Sequence, residues 1–120
     1  MQNVSFVFSG SGGQGVITAA ILLSQAAVSY EGLNAVQSQA YGAEARGGAS
    51  RSDVIISDKD IYFPEVHVPD YLITLTQQSY DKFYPLIKRN GTIIADDWYV
   101  KEYMKTDGFV IKLPLYHSVM

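Results

Sequence analysis

A glycine run set between a strand and a helix constrains this chain more than any other feature. Val4-Ser5-Phe6-Val7-Phe8 is short, β-branched and aromatic, and it leads into Ser9-Gly10. It reads as a first strand buried on at least one face. Gly10-Ser11-Gly12-Gly13-Gln14-Gly15 follows and fits G-x-G-x-x-G, after which Val16 to Ser29 reads as a helix. Ala, Leu and Ile cover most of that helix's circumference, so it is expected to lie against a sheet and to touch a further surface as well. Glycines permit a tight turn and close approach of the backbone, and the helix start offers unpaired N–H groups with a partial positive charge. Gly10, Gly12, Gly13, Gln14 and Gly15 are therefore candidates to contact an anion or a partner.

A dinucleotide would need more than this turn. An acidic residue at the end of the second strand should hold the ribose hydroxyls. That position falls near Gln37-Ser38, where neither Asp nor Glu stands, and Glu31 precedes the strand. Three readings stay open: close packing of the first helix, an anion from a partner or cosubstrate, and a stand-alone nucleotide-binding domain.

The remaining pattern alternates strand and helix. Leu33 to Gln37, Ser52 to Ser57, Tyr71 to Leu75, Thr92 to Ala95 and Phe109 to Leu113 read as strands. Thr76 is a candidate N-cap for a helix through about Ile87, closed by Lys88-Arg89-Asn90-Gly91. Tyr99 to Lys105 reads as a short helix. Asp58-Lys59-Asp60 is a turn, with Ile61 to Phe63 as a hairpin return stopped by Pro64. The expected fold is α/β: a three-layer α/β/α Rossmann-like domain, mostly parallel, with one antiparallel hairpin element.

Composition narrows the function. A chain of 120 residues suits a single domain. Net charge is −3 and the basic residues are scattered, which argues against nucleic acid. No membrane-length apolar run and no signal peptide is seen, so a cytoplasmic protein is expected. The absence of cysteine removes thiol nucleophiles, disulfides and any cysteine-ligated iron–sulfur cluster. Charged residues make up 18%, a low share that hints at a partner surface.

Ser38 to Ala49 (SQAYGAEARGGA) is too polar for a core and has no clean period. A segment of this kind is commonly functional. Glu44 and Arg46 could form a local ion pair. Alternatively Arg46 contacts a phosphate, a carboxylate or an acidic group on a partner. Gly47-Gly48 would let backbone approach another surface, and Tyr41 offers an amphipathic contact. Tyr41, Glu44, Arg46, Gly47 and Gly48 are the candidate interface.

Gly10 to Val16, then Gln37-Ser38-Gln39-Ala40-Tyr41-Gly42-Ala43-Glu44-Ala45-Arg46-Gly47-Gly48, resemble the gamma module of 2-oxoacid:ferredoxin oxidoreductases. Val54-Ile55-Ile56-Ser57-Asp58, Pro69-Asp70-Tyr71-Leu72 and Gly91-Thr92-Ile93-Ile94-Ala95-Asp96 agree in order and approximate spacing. The 2-oxoglutarate type is most similar. The resemblance implies a non-catalytic gamma subunit that helps assemble an enzyme and helps shape the approach of coenzyme A. Such enzymes oxidatively decarboxylate a 2-oxoacid to an acyl-CoA and reduce ferredoxin. Thiamine diphosphate, magnesium and iron–sulfur clusters are then expected on alpha, beta and in some cases delta partners. The resemblance also implies a helical region after a strand like Phe109 to Leu113. Residues 1–120 are expected to form one gamma-type domain without that region.

Other residues are weaker candidates. His67 and His117 have no metal-ligand spacing. Asp96-Asp97 reads as a cap or turn before a magnesium site. Trp98, Tyr99 and Tyr103 read as packing before interface. Ser9, Ser11 and Ser50 have no evident base.

Overall fold

The structure, a computed structural model, describes residues 3–11, 15–39, 50–62, 66, 68–106 and 108–115. Strand β1 (Val4–Gly10) leads to helix α1 (Val16–Glu31), β2 (Asn34–Gln39), β3 (Ser50–Ser57) and β4 (Tyr71–Thr74). Helix α2 (Gln77–Phe83) and a 3-10 turn (Tyr84–Leu86) then precede β5 (Thr92–Asp96) and β6 (Phe109–Leu113). The strands form one six-stranded sheet in the order β2-β3-β1-β4-β5-β6. Pairs β1/β4, β4/β5 and β5/β6 are parallel, whereas β3 runs against both β1 and β2.

Alternation of side chains along the strands produces two cores. Val7, Ile55, Leu72, Ile93 and Ala95 face α2 and join Tyr80, Phe83 and Ile87. Phe6, Phe8, Val54 and Ile56 face α1 and join Ala20, Ala27 and Leu23. Helix α1 packs on β1, β2 and β3, and α2 packs on β1 and β4. The three-layer α/β/α expectation therefore holds, with β3 as the one strand of opposite direction.

The antiparallel element lies elsewhere than expected. It is β2 and β3, consecutive and antiparallel, and the Asp58 turn does not lead to a returning strand. Both edges of β3 are already taken by β1 and β2, so Ile61 and Tyr62 find no edge to pair with. Phe63 lies outside the described residues.

Two helix expectations also change. Helix α2 ends at Phe83, because Pro85 has no N–H to continue the ladder and the chain tightens to a 3-10 turn. Residues 99–105 are not helical. Their backbone is bonded to side chains of α2 instead. Gln77 Oε1 accepts from the N–H of Lys101 (2.7 Å) and of Glu102 (2.9 Å). Tyr80 Oη donates to the Met104 carbonyl (3.2 Å) and accepts from the Met104 N–H (3.1 Å). Tyr103 then packs edge-on to Tyr80, with ring centroids 5.2 Å apart.

At the opposite end of the sheet, Asp70 ties β1 to β4. Its Oδ2 accepts from the Ser5 N–H (2.8 Å), and its own N–H donates to the Ser5 carbonyl (3.0 Å).

Burial pushes the Tyr80 and Tyr103 hydroxyls above the usual tyrosine range. The fold thus holds those protons more tightly than the unfolded chain does. Their stabilisation is complete below about pH 10 and is lost as pH climbs through the folded values. Tyr80→Phe removes both bonds to Met104 and is expected to cost about 1–3 kcal/mol at neutral pH. It should also lessen the alkaline loss, both effects being measurable by denaturant unfolding at pH 7 and pH 11.

Candidate functional site

The carboxyl ends of β1, β4 and β5 share one sheet edge with the start of β3. Ligands of open α/β sheets collect at such an edge. Here two features meet. Gly10 closes β1, and Ser50, two residues after Gly48, opens β3 directly opposite it. Ser50 Oγ donates to the Gly10 carbonyl (2.9 Å), and Ser9 Oγ donates to the Ser50 carbonyl (2.7 Å). The strand ends Gly10 and Ser50, which flank the glycine turn and the Tyr41–Gly48 segment in the sequence, are therefore hydrogen-bonded to each other.

Of the sequence candidates, Gly10 is buried within this base. Gly15 caps α1 at φ 74°, the left-handed region that glycine adopts without strain, and its carbonyl accepts from the Ala19 N–H (2.9 Å). Gly12, Gly13, Gln14, Tyr41, Glu44, Arg46, Gly47 and Gly48 lie outside the described residues, as do His67 and His117.

The neighbouring strand ends are rigidly capped. The Leu75 N–H donates to the Ser9 carbonyl (2.9 Å), and Thr76 Oγ1 accepts from the Ser79 N–H (3.1 Å) at the start of α2. Asp96 is fully buried, and its Oδ2 accepts from the N–H groups of Trp98 (3.1 Å) and Tyr99 (2.7 Å). It is a turn cap, as expected. Trp98 is 56% exposed, so of the aromatic trio only Tyr103 joins the core.

One pair was not picked out from the sequence. Arg51 Nε lies 2.7 Å from Asp53 Oδ1, Arg51 Nη2 donates to Asp53 Oδ2 (3.0 Å) and to the Val66 carbonyl (2.6 Å), and the guanidinium sits 5.3 Å from the centre of the Phe83 ring. The spacing i, i+2 along a strand puts both side chains on one face, and that alternation was the available signal. Each charge here is matched, so the pair fixes the residue-66 segment against the sheet and leaves no reactive group. Ser9 and Ser50 were likewise legible only as hydroxyls without a base. Their role is to join two loop bases. Among the described residues, Ser52 and Thr74 carry buried hydroxyls without a partner beside this edge.

Among the described residues no group of His, Asp and Glu is placed to hold a metal ion. A dinucleotide fits poorly. Its ribose carboxylate would come from a second strand next to β1, and here β3 separates β2 from β1.

The profile of the pyruvate ferredoxin/flavodoxin oxidoreductase family matches residues 5–118. The chain belongs to that family. Among pyruvate ferredoxin/flavodoxin oxidoreductase relatives, a 2-oxoglutarate synthase subunit, KorC, of Methanocaldococcus jannaschii is 53% identical over 89 residues, 74% of this chain and 48% of that protein. The chain thus spans about half the length of the curated subunits it matches. The gamma subunit of a keto/oxoacid ferredoxin oxidoreductase from Geobacter sulfurreducens overlays with a TM-score of 0.80 at 40% identity, covering 92% of this chain and 61% of that one. A 2-oxoglutarate:ferredoxin oxidoreductase from Magnetococcus marinus has the same fold over 95% of this chain and 20% of its own, with a TM-score of 0.79 at 20% identity.

Gly15→Ala tests the glycine turn directly. No heavy atom lies within 4 Å of the added methyl, so its cost is backbone strain alone. A loss of about 1–2 kcal/mol is expected in thermal or denaturant unfolding, with Gly15→Asn costing less.

Proposed function

We propose that this chain serves as the gamma subunit of a 2-oxoacid:ferredoxin oxidoreductase acting on 2-oxoglutarate. The 53% identity to a 2-oxoglutarate synthase subunit carries the proposal. In it, companion alpha, beta and, where present, delta subunits bind the 2-oxoacid, thiamine diphosphate with magnesium, and the clusters that pass electrons to ferredoxin. The chain has no cysteine to ligate a cluster, which suits that division. Residues 1–120 act as one gamma-type domain that assembles with those partners in the cytoplasm, without nucleic acid or membrane. No helix among the described residues is long and apolar enough to cross a bilayer.

The sheet edge at Gly10 and Ser50 supplies the working surface of this reading. Tyr41, Glu44, Arg46, Gly47 and Gly48 form the interface with a catalytic subunit. Gly10, Gly12, Gly13, Gln14 and Gly15 face an anionic group, of the partner or of coenzyme A. The support is the hydrogen-bonded pairing of Gly10 and Ser50, the strand ends that flank the two segments. The stand-alone nucleotide-binding alternative is not favoured, because β3 displaces the strand that would carry the ribose contact.

Arg46→Ala provides the test. A charge-assisted contact is worth about 1.5–3 kcal/mol, so association with the partner subunits should weaken by about tenfold to a hundredfold. Size-exclusion and titration experiments with the isolated partners would show this while the thermal unfolding of the isolated chain stays unchanged. Undiminished association would remove Arg46 from the interface.

A further inference from the structure

Helix α1 has a second side that the sheet does not use. Val16, Ala20, Leu23 and Ala27 turn toward β1, β2 and β3, on which the helix packs. At about 100° per residue, Thr18, Leu22, Gln25 and Ser29 fall on the opposite side, and all four are exposed. Their steps of four, three and four residues are those of a seam between two helices. Leu22 is 60% exposed, with Ile17 (47%) and Val28 (52%) on the flank. A helix face left to water normally carries charge. This one carries none: Glu31 is the sole charged residue among the 16 of α1.

Charge decides what covers it. Glu31 stands at the negative pole of its own helix, and no basic residue in the last turn offsets it. The positive pole has no acidic residue in the first turn and no side-chain cap. Glu31 therefore has the wrong sign for its position, and the helix start lacks the charge that the macrodipole favours. A second copy of α1 laid antiparallel corrects both ends at once, because Glu31 of each copy reaches the first turn of the other. With full overlap over about 24 Å, Thr18 comes level with Ser29 of the second copy, and Leu22 with its Gln25. Hydroxyl then meets hydroxyl, and the two Leu22 side chains lie about 4.5 Å apart along the axis, on either side of the two-fold.

We infer that the outer face of α1 is the surface through which two copies of this chain associate, antiparallel and about a two-fold axis. A single helix pair is a small interface, so the dimer is weak and depends on concentration. The inference rests on α1 and not on the sheet edge, so it stands or falls apart from the proposed function.

The chain has no cysteine, so an introduced thiol reports only on the place where it is put. Thr18→Cys and Ser29→Cys versions of the full chain are mixed and treated with a short bis-maleimide. The mixture should give a covalent dimer joining position 18 to position 29. Either variant alone should give several-fold less, because like positions lie about 16 Å apart along the axis. Equal crosslinking by the single variants, or none in the mixture, would overturn the antiparallel seam. Sedimentation velocity gives an independent readout. The unaltered chain should pass from monomer toward dimer between about 1 μM and 1 mM. Leu22→Lys should hold it monomeric with unchanged thermal unfolding, since that side chain is already exposed. Glu31→Lys should weaken association several-fold without lowering thermal stability, because a cation suits the end of its own helix. A chain that stays monomeric throughout that range, or a dimer that survives Leu22→Lys, contradicts the inference.

Discussion

Strand β1 is hydrogen-bonded along both edges, and the rest of the molecule is arranged around that fact. It runs antiparallel to β3 through Val4–Gly10 and parallel to β4 from Phe6 to Ser9. Its alternating side chains supply both cores, Phe6 and Phe8 toward α1 and Val7 toward α2. A one-residue slip would exchange those faces and expose both sets at once. Asp70 at one end of β1 and the Ser9–Ser50 bonds at the other hold that register.

The direction of β3 follows from this arrangement and shapes the functional edge. A parallel crossover would have brought the start of β3 to the far end of the sheet. Because β3 runs backwards, its first residue meets the last residue of β1. The strand ends that flank the glycine turn and the segment rich in Tyr, Glu and Arg are therefore joined by hydrogen bonds. The same topology pushes β2 to the sheet edge and breaks the geometry of a dinucleotide site. One topological choice thus disfavours a bound dinucleotide.

Much of this was readable from residue order alone. β6 fell at Phe109–Leu113 as expected, and the β1–turn–α1 unit was legible because β-branched residues, glycines and alanines change over abruptly. The failures have local causes. Pro85 shortened α2, and the residues from Tyr99 to Lys105 lost a helix to Gln77 and Tyr80, whose side chains lie more than twenty positions away. No local window contains such partners. The supposed hairpin return failed for a similar reason, since only the three-dimensional sheet shows that both edges of β3 are filled. At the site, the glycine turn was recognisable by its spacing. The Ser9–Ser50 latch was not, because it joins residues 41 positions apart.

The chain then combines two packed cores with a sheet end whose described strand termini are tied by hydrogen bonds. The most direct measurement is purification of the tagged chain from its host at native expression. Its partners would be identified by mass spectrometry and assayed for viologen reduction dependent on 2-oxoglutarate and coenzyme A. Co-purification of a thiamine-diphosphate-binding subunit with that activity is the predicted result. Recovery of the chain alone, or with partners that show no 2-oxoacid-dependent reduction, would contradict it.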